Sequence, residues 1–214
     1  MGSIPTKFLI DGIDRLGKSS LIRRILDVYG YHLVVHYDKP QVLENTLLEA
    51  DDIKTAPPEE LSPEYQILQA NTVENIARRL YQEQANFGMF ELMKSDAPII
   101  FDRTHLGEMV YAPLYRKYDG SYVYEMEQDL IESKPYTYGG DIRLILLTSS
   151  NTDMLADDGL SFDPTKKLEE QNLFIDAFNR SKLVNKVIVD VHNGQGGYRT
   201  YNDIFNEAML KPAE

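Results

Sequence analysis

The chain has 214 residues and a formal net charge of −12. That length bounds it to about one domain, large enough to bury a core without staples. The absence of cysteine excludes disulfides, a thiolate nucleophile and Cys-ligated zinc. The acidity opposes wrapping of nucleic acid, which needs concentrated Lys and Arg. No stretch approaches the roughly 18 consecutive apolar residues of a membrane span, and Met1 to Ile10 carries no long apolar run of the signal-peptide kind. A cytoplasmic protein without membrane contact is the expectation.

Lys7 to Asp11 is short and apolar and reads as a first strand. Gly12-Ile13-Asp14-Arg15-Leu16-Gly17-Lys18-Ser19 follows and has the form G-x-x-x-x-G-K-[ST], the phosphate-binding P-loop. Leu21, Ile22, Ile25 and Leu26 then recur at helical spacing, so a helix runs over Ser19 to Tyr29 and ends at Gly30. The order strand, glycine loop, helix is what phosphate binding requires. Gly12 and Gly17 let backbone N–H groups turn onto a phosphate, and the positive end of the helix faces the same place. Gly12 to Ser20 is therefore the candidate nucleotide cradle, with Lys18 on the β/γ-phosphates and Ser19 as a Mg²⁺ ligand.

Tyr31 to Tyr37 is a second strand, ending in the polar Tyr37-Asp38-Lys39-Pro40. Glu44 to Glu60 reads as a solvated acidic stretch. Ser62-Pro63-Glu64 starts a helical region that extends to Lys94. Ala97 to Phe101 is a third strand, apolar throughout and so internal in its sheet. It runs into Asp102-Arg103, after which Thr104 to Lys117 is largely helical with a break at Pro113. Glu125 to Ser133 is a further helix. Tyrosine is dense from Tyr111 to Tyr138, which fits half-buried packing better than a stacking platform. Asp141 to Leu147 is a fourth strand, and Thr148 to Thr165 is a polar loop of lid length. A helix over Lys166 to Lys182, a fifth strand over Lys186 to Val191, a glycine turn and a helix over Tyr198 to Leu210 complete the chain. Strands alternating with helices make an open, mostly parallel α/β sheet, with ligands at the carboxyl ends of the strands.

On these residues the chain resembles the thymidylate kinases, P-loop nucleoside monophosphate kinases that use ATP and Mg²⁺ to phosphorylate dTMP. Their loop reads G-x-D-x-x-G-K-[ST], and Asp14 falls on its aspartate. Asp102-Arg103 is similar to the family's D-R-Y motif, and Asp102-Arg103-Thr104-His105 to the D-R-H version of viral nucleoside kinases. One class keeps its catalytic arginine in the loop, after the aspartate, and lacks one in the lid. Arg15 follows Asp14, and Thr148 to Thr165 holds no arginine. The resemblance implies a single domain of the three-layer P-loop kinase fold. It would carry a five-stranded parallel sheet, a lid over residues 148–165 and a substrate-side insert over residues 40–95.

The implied roles follow. Lys18 and the loop hold ATP. Arg15 bridges donor and acceptor phosphates, Asp14 lies near the acceptor sugar, and Asp102 contacts Mg²⁺. Arg103 holds the acceptor phosphate or orders the site. The acceptor side departs from the family. After strand two only Lys39 stands where an arginine is usual, and Ala70-Asn71-Thr72 has threonine where the family has arginine. His105, Glu108 and Arg116 are the remaining candidates for substrate contact, weighed against plain helix-surface polarity. His32, His36 and His192 are expected to be structural. A homodimer is one assembly the reading allows.

The leading expectation is phosphoryl transfer from ATP to a deoxynucleoside monophosphate, dTMP or a modified pyrimidine nucleotide. The alternative is a kinase acting on a nucleoside hydroxyl or on hydroxymethylated pyrimidine in DNA. A GTPase-like switch is disfavoured because Asn185-Lys186 is not followed by the aspartate of N-K-x-D. A non-catalytic nucleotide-binding protein is disfavoured by the complete loop together with Asp102.

Overall fold

The computed structural model describes residues 5–30, 32–36, 73–116, 118–133, 141–155, 163–193 and 197–210, the side chains of 73–78 excepted. The chain divides into two compact units. One is Met1–Tyr37 with Met89–Glu214, and the other is Asp38–Gly88.

The first unit is built on a five-stranded parallel sheet. Its strands are β1 (Lys7–Asp11), β2 (Leu33–His36), β3 (Ile99–Asp102), β4 (Ile142–Thr148) and β5 (Lys186–Asp190). They stand in the order β2-β3-β1-β4-β5, which puts β1 at the centre. Phe8, Leu9, Ile10, Ile99, Ile100, Phe101 and Leu144 to Leu147 are buried, the near-continuous apolar pattern of strands covered on both faces. Six α-helices lie among the described residues: α1 (Lys18–Tyr29), α2 (Val73–Lys94), α3 (Leu106–Tyr111), α4 (Tyr122–Ser133), α5 (Lys167–Arg180) and α6 (Tyr201–Met209). None is long and apolar enough to cross a membrane.

The α/β class and the five parallel strands agree with the sequence expectation. Local bounds differ for physical reasons. The third strand reaches Asp102, because Asp102 still pairs with Ile10 across the ladder. The first helix begins at Lys18, directly behind Gly17 in the left-handed conformation at φ 83°. The helix expected over Thr104 to Lys117 is α for Leu106–Tyr111 and then winds as a π-helix over Ala112–Arg116. Pro113 has no N–H to give, which removes an α-type bond where the winding loosens. The fourth helix starts earlier than expected, at Tyr122. Gly120 lets the chain come in close there: a Cβ would stand 2.4 Å from the Glu108 carbonyl oxygen. The lid expected over Thr148 to Thr165 has two short 3₁₀ turns, Thr152–Met154 and Pro164–Lys166; residues 156–162 lie outside the described residues, as does Lys39.

The last helix is fastened to the sheet from below its C-terminal end. Arg143 of β4 is buried, and its Nε donates to the Ala208 carbonyl at 3.0 Å. Its other nitrogens donate to Asn185 Oδ1 and the Leu210 carbonyl. Orphan carbonyls at a helix C-terminus are the partners a cation fits best.

Candidate functional site: two turns and a cavity

The central strand β1 delivers the glycine loop, and β3 beside it delivers Asp102-Arg103. Parallel pairing sets both turns at the same edge of the sheet, with Ile10 opposite Asp102. Gly12 sits at φ 134°, and a Cβ there would stand 2.4 Å from the Leu147 carbonyl oxygen, so only glycine fits. Among the described residues two that are not glycine have positive φ, Arg15 at 71° and Arg103 at 72°. Each such backbone costs about 1–2 kcal/mol. One stands in each turn, and both are arginines that the sequence marks for phosphate chemistry.

The turns meet through side chains. Arg103 Nη2 donates to Asp14 Oδ1 at 3.2 Å. Burial acts to lower the Arg103 pKa, but the charges of Asp14, Tyr111, Asp11 and Asp102 outweigh it and raise it. Lys18 Nζ donates to the Gly12 carbonyl at 2.8 Å and the Ile13 carbonyl at 2.7 Å, and lies 3.8 Å from Asp14. Burial pulls its ammonium below the ordinary value, against Asp14 and Asp11. Lys18 is thus folded onto its own loop, and an incoming phosphate would exchange for those carbonyls. Gly17 offers no side chain to cap the start of α1, and the Ser20 and Leu21 N–H groups donate to the Gly17 carbonyl at 3.0 Å, which leaves the Lys18 and Ser19 N–H groups as the ones a phosphate would meet.

Asp11 is a residue the sequence reading missed. It is almost fully buried at the end of β1. Its Oδ1 accepts from Gly12 N at 2.9 Å; its Oδ2 accepts from Thr104 N at 3.0 Å and Thr104 Oγ1 at 2.7 Å. One carboxyl therefore ties the glycine loop to the turn after β3. Burial pushes it above the ordinary aspartate value, although the bonds from Thr104 and Gly12 and the Lys18 charge pull the other way. His36 was also missed as a neighbour of the site. The register sets it opposite Asp102, and its Nδ1 lies 2.9 Å from Asp102 Oδ2. The other oxygen, Asp102 Oδ1, is buried and finds no partner among the described residues. A buried carboxylate oxygen without a donor fits a hard cation. Ser19 is exposed in the first turn of α1 and offers a hydroxyl.

The other candidates lie in protein packing. His105 is fully buried, with Nε2 3.0 Å from Glu127 Oε2 and its ring 5.2 Å from Phe90. It has no surface for a substrate. Glu108 is buried and accepts from Arg116 Nη1 at 2.7 Å and from the Tyr118 hydroxyl. Of the tyrosines expected to pack between Tyr111 and Tyr138, Tyr136 and Tyr138 lie outside the described residues, and Tyr111 and Tyr115 are held by protein neighbours. Tyr111 stands edge-on to Phe174 at 5.7 Å, and the Tyr115 hydroxyl donates to Glu170.

A cavity of about 440 Å³ opens beside the loop. Arg15, Leu16 and Gly17 line it from the loop, Ser20, Leu21 and Arg24 from α1, and residues 198–201 with Ile204 from the segment entering α6. No single motif signals it, because its walls come from two ends of the sequence.

The sheet order and the glycine loop behind the central strand are those of the P-loop kinase fold. The chain is similar to the YorR protein of Bacillus subtilis, solved in complex with phosphorylated GDP, at 12% identity and a TM-score of 0.55, covering 94% of this chain and 91% of that one. It is similar to thymidylate kinase from Candida albicans at 13% identity and a TM-score of 0.54, covering 96% and 90%. Polyphosphate kinase 2 from Arthrobacter aurescens TC1 gives 12% identity, a TM-score of 0.49 and coverage of 95% and 65%. No protein-family model matches the sequence, and no curated protein matches it.

Proposed function

We propose that the protein is a nucleotide kinase that transfers a phosphoryl group from ATP to a deoxynucleoside monophosphate, dTMP or a modified pyrimidine nucleotide. The observation that carries this is the joining of two phosphate-side turns on neighbouring strands. The Asp14–Arg103 contact of 3.2 Å links them, and each presents an arginine on a strained backbone. A binding protein needs the first turn; transfer needs charge on both sides of the moving group.

In this reading the loop amides and Lys18 hold the donor phosphates. Arg15 stabilises the charge that develops on the transferring group. Arg103 holds the acceptor phosphate, and Asp14 keeps Arg103 in place. The donor base enters the cavity beside the loop. Ser19 and the unpartnered oxygen of Asp102 would hold Mg²⁺, which when bound neutralises phosphate charge. The cysteine-free composition keeps the cytoplasm as the proposed location.

The test is incubation with Mg-ATP and a panel of nucleosides, nucleoside monophosphates and hydroxymethylated DNA, reading which one is labelled. Labelling of a monophosphate is expected. Release of free phosphate with no acceptor labelled would sink the kinase reading. Labelling of a nucleoside or of DNA would move the acceptor and keep the chemistry.

A further inference from the structure

The phosphate chemistry accounts for the loop side of the cavity but not for its far wall. Tyr198 lines that wall with 54% of its surface exposed, and Tyr201 with 68%. Tyr198 is nevertheless firmly placed. Its backbone pairs with His192 in an antiparallel bridge. The two rings lie 4.5 Å apart at a tilt of 34°.

His192 is itself anchored from two strands. Its Nδ1 is hydrogen-bonded to Ser149 Oγ at 2.8 Å, just past β4. Its N–H donates to Asp190 Oδ1, at the end of β5, at 2.9 Å. Ser149 Oγ is in turn fixed by the Asn151 N–H at 3.0 Å. His192 is buried, and its Nε2 finds no partner among the described residues. Leaving a buried nitrogen unpaired is costly. A flat ring is thus held at some expense directly against an aromatic ring that faces a cavity. A tyrosine supplies π surface at low entropy cost, and π surface recognises a planar aromatic ligand rather than a bare phosphate chain.

We infer that Tyr198 is a stacking platform for a nucleobase bound in this cavity, and that His192 is the positioning residue that holds the Tyr198 ring against it. The inference rests on the reading of the loop as a nucleoside triphosphate site and names the group that reads the base. It asks for planarity and leaves the identity of the base edge to other groups.

The test separates base from phosphates. Binding of ATP and of inorganic tripolyphosphate to the full chain is measured by calorimetry with Mg²⁺ present. The unsubstituted protein should bind ATP about 10-fold more tightly than tripolyphosphate, the scale of one stacked base. Tyr198→Leu should weaken ATP by about that factor and leave tripolyphosphate unchanged. Leucine at a half-exposed position does not threaten the fold. Tyr198→Phe should behave like the unsubstituted protein. His192→Ala should lose most of the preference for ATP, and His192→Phe, which keeps a flat ring, should retain it. If Tyr198→Leu keeps full ATP affinity while tripolyphosphate still binds, the platform is overturned and the loop reading stands. If His192→Ala keeps the full preference, the positioning role is overturned. Failure of the unsubstituted protein to bind either ligand would overturn the loop reading itself.

Discussion

Two clusters of paired charge use the same kinds of bond and differ in what surrounds them. In one, Asp14 holds Arg103 and lies near Lys18, with Asp14 and Arg103 each about one-third exposed. In the other, Glu127 accepts from Ser181 Oγ at 2.7 Å and from Lys182 N, and pairs with His105 at 3.0 Å, all but sealed from solvent. The first is satisfied in part by the loop's own carbonyls, which a phosphate can replace. The second has no replaceable partner. Exposure and exchangeable partners thus separate charges available for chemistry from charges that hold the fold.

That contrast can be broken by substitution, beginning where the effect is largest. Arg15→Ala should lower kcat by on the order of 10³-fold or more while ATP affinity changes only a few-fold; steady-state kinetics beside calorimetry reads both. Equal losses in kcat and affinity would deny Arg15 its transition-state role. Lys18→Ala should cut transfer by roughly 10²–10³-fold with little change in melting temperature. A large fall in stability would place Lys18 with the sealed cluster instead.

Glu127→Ala should do the reverse. It strands three donors in a buried site and should cost about 3–5 kcal/mol, read from urea midpoints, with donor affinity unaltered in the folded fraction. The smallest effect is pH-dependent and has opposite sign at the two carboxyls. Burial would raise the Glu127 pKa, but the bonds from His105, Ser181 and Lys182 win and hold it below 4.5. Its contribution is present above the unfolded value and fades as pH falls through the folded one, below about 4.5. Asp11 is raised above 3.8. The native state then binds its proton more readily, so its share of stability is present at lower pH and is lost as pH rises through the folded value. Denaturation midpoints across acid pH should therefore flatten at the acid end in Glu127→Gln and change the other way in Asp11→Asn. Matching changes would remove the distinction.

The loop was legible because its geometry forces glycine at fixed spacing: nothing else fits at Gly12 against the Leu147 carbonyl. Asp102-Arg103 was legible as a polar pair closing an apolar strand. Asp11 and His36 were not, because their importance depends on strand register. Asp11 meets Thr104 93 residues away, and His36 meets Asp102 66 residues away, and no local pattern encodes such a meeting. The cavity was hidden for the same reason, with Arg24 and Tyr198 at opposite ends of the chain. Pro113 announced a break in its helix, but a missing N–H does not say whether the chain turns or winds more loosely. His105 was misleading because a histidine after Asp-Arg reads the same whether it faces a cleft or Glu127.

Among the described residues, Arg143 grips the last helix by backbone carbonyls, at Ala208 and Leu210. Such a grip is blind to the side chains of the segment it secures. The exposed, cavity-facing Tyr201 can therefore change over generations without releasing the helix that carries it, whereas Thr200 caps that helix and Ile204 is buried beneath it. If the cavity takes a base as proposed, the surface that meets it can be retuned at such a position while the anchorage of that wall stays constant.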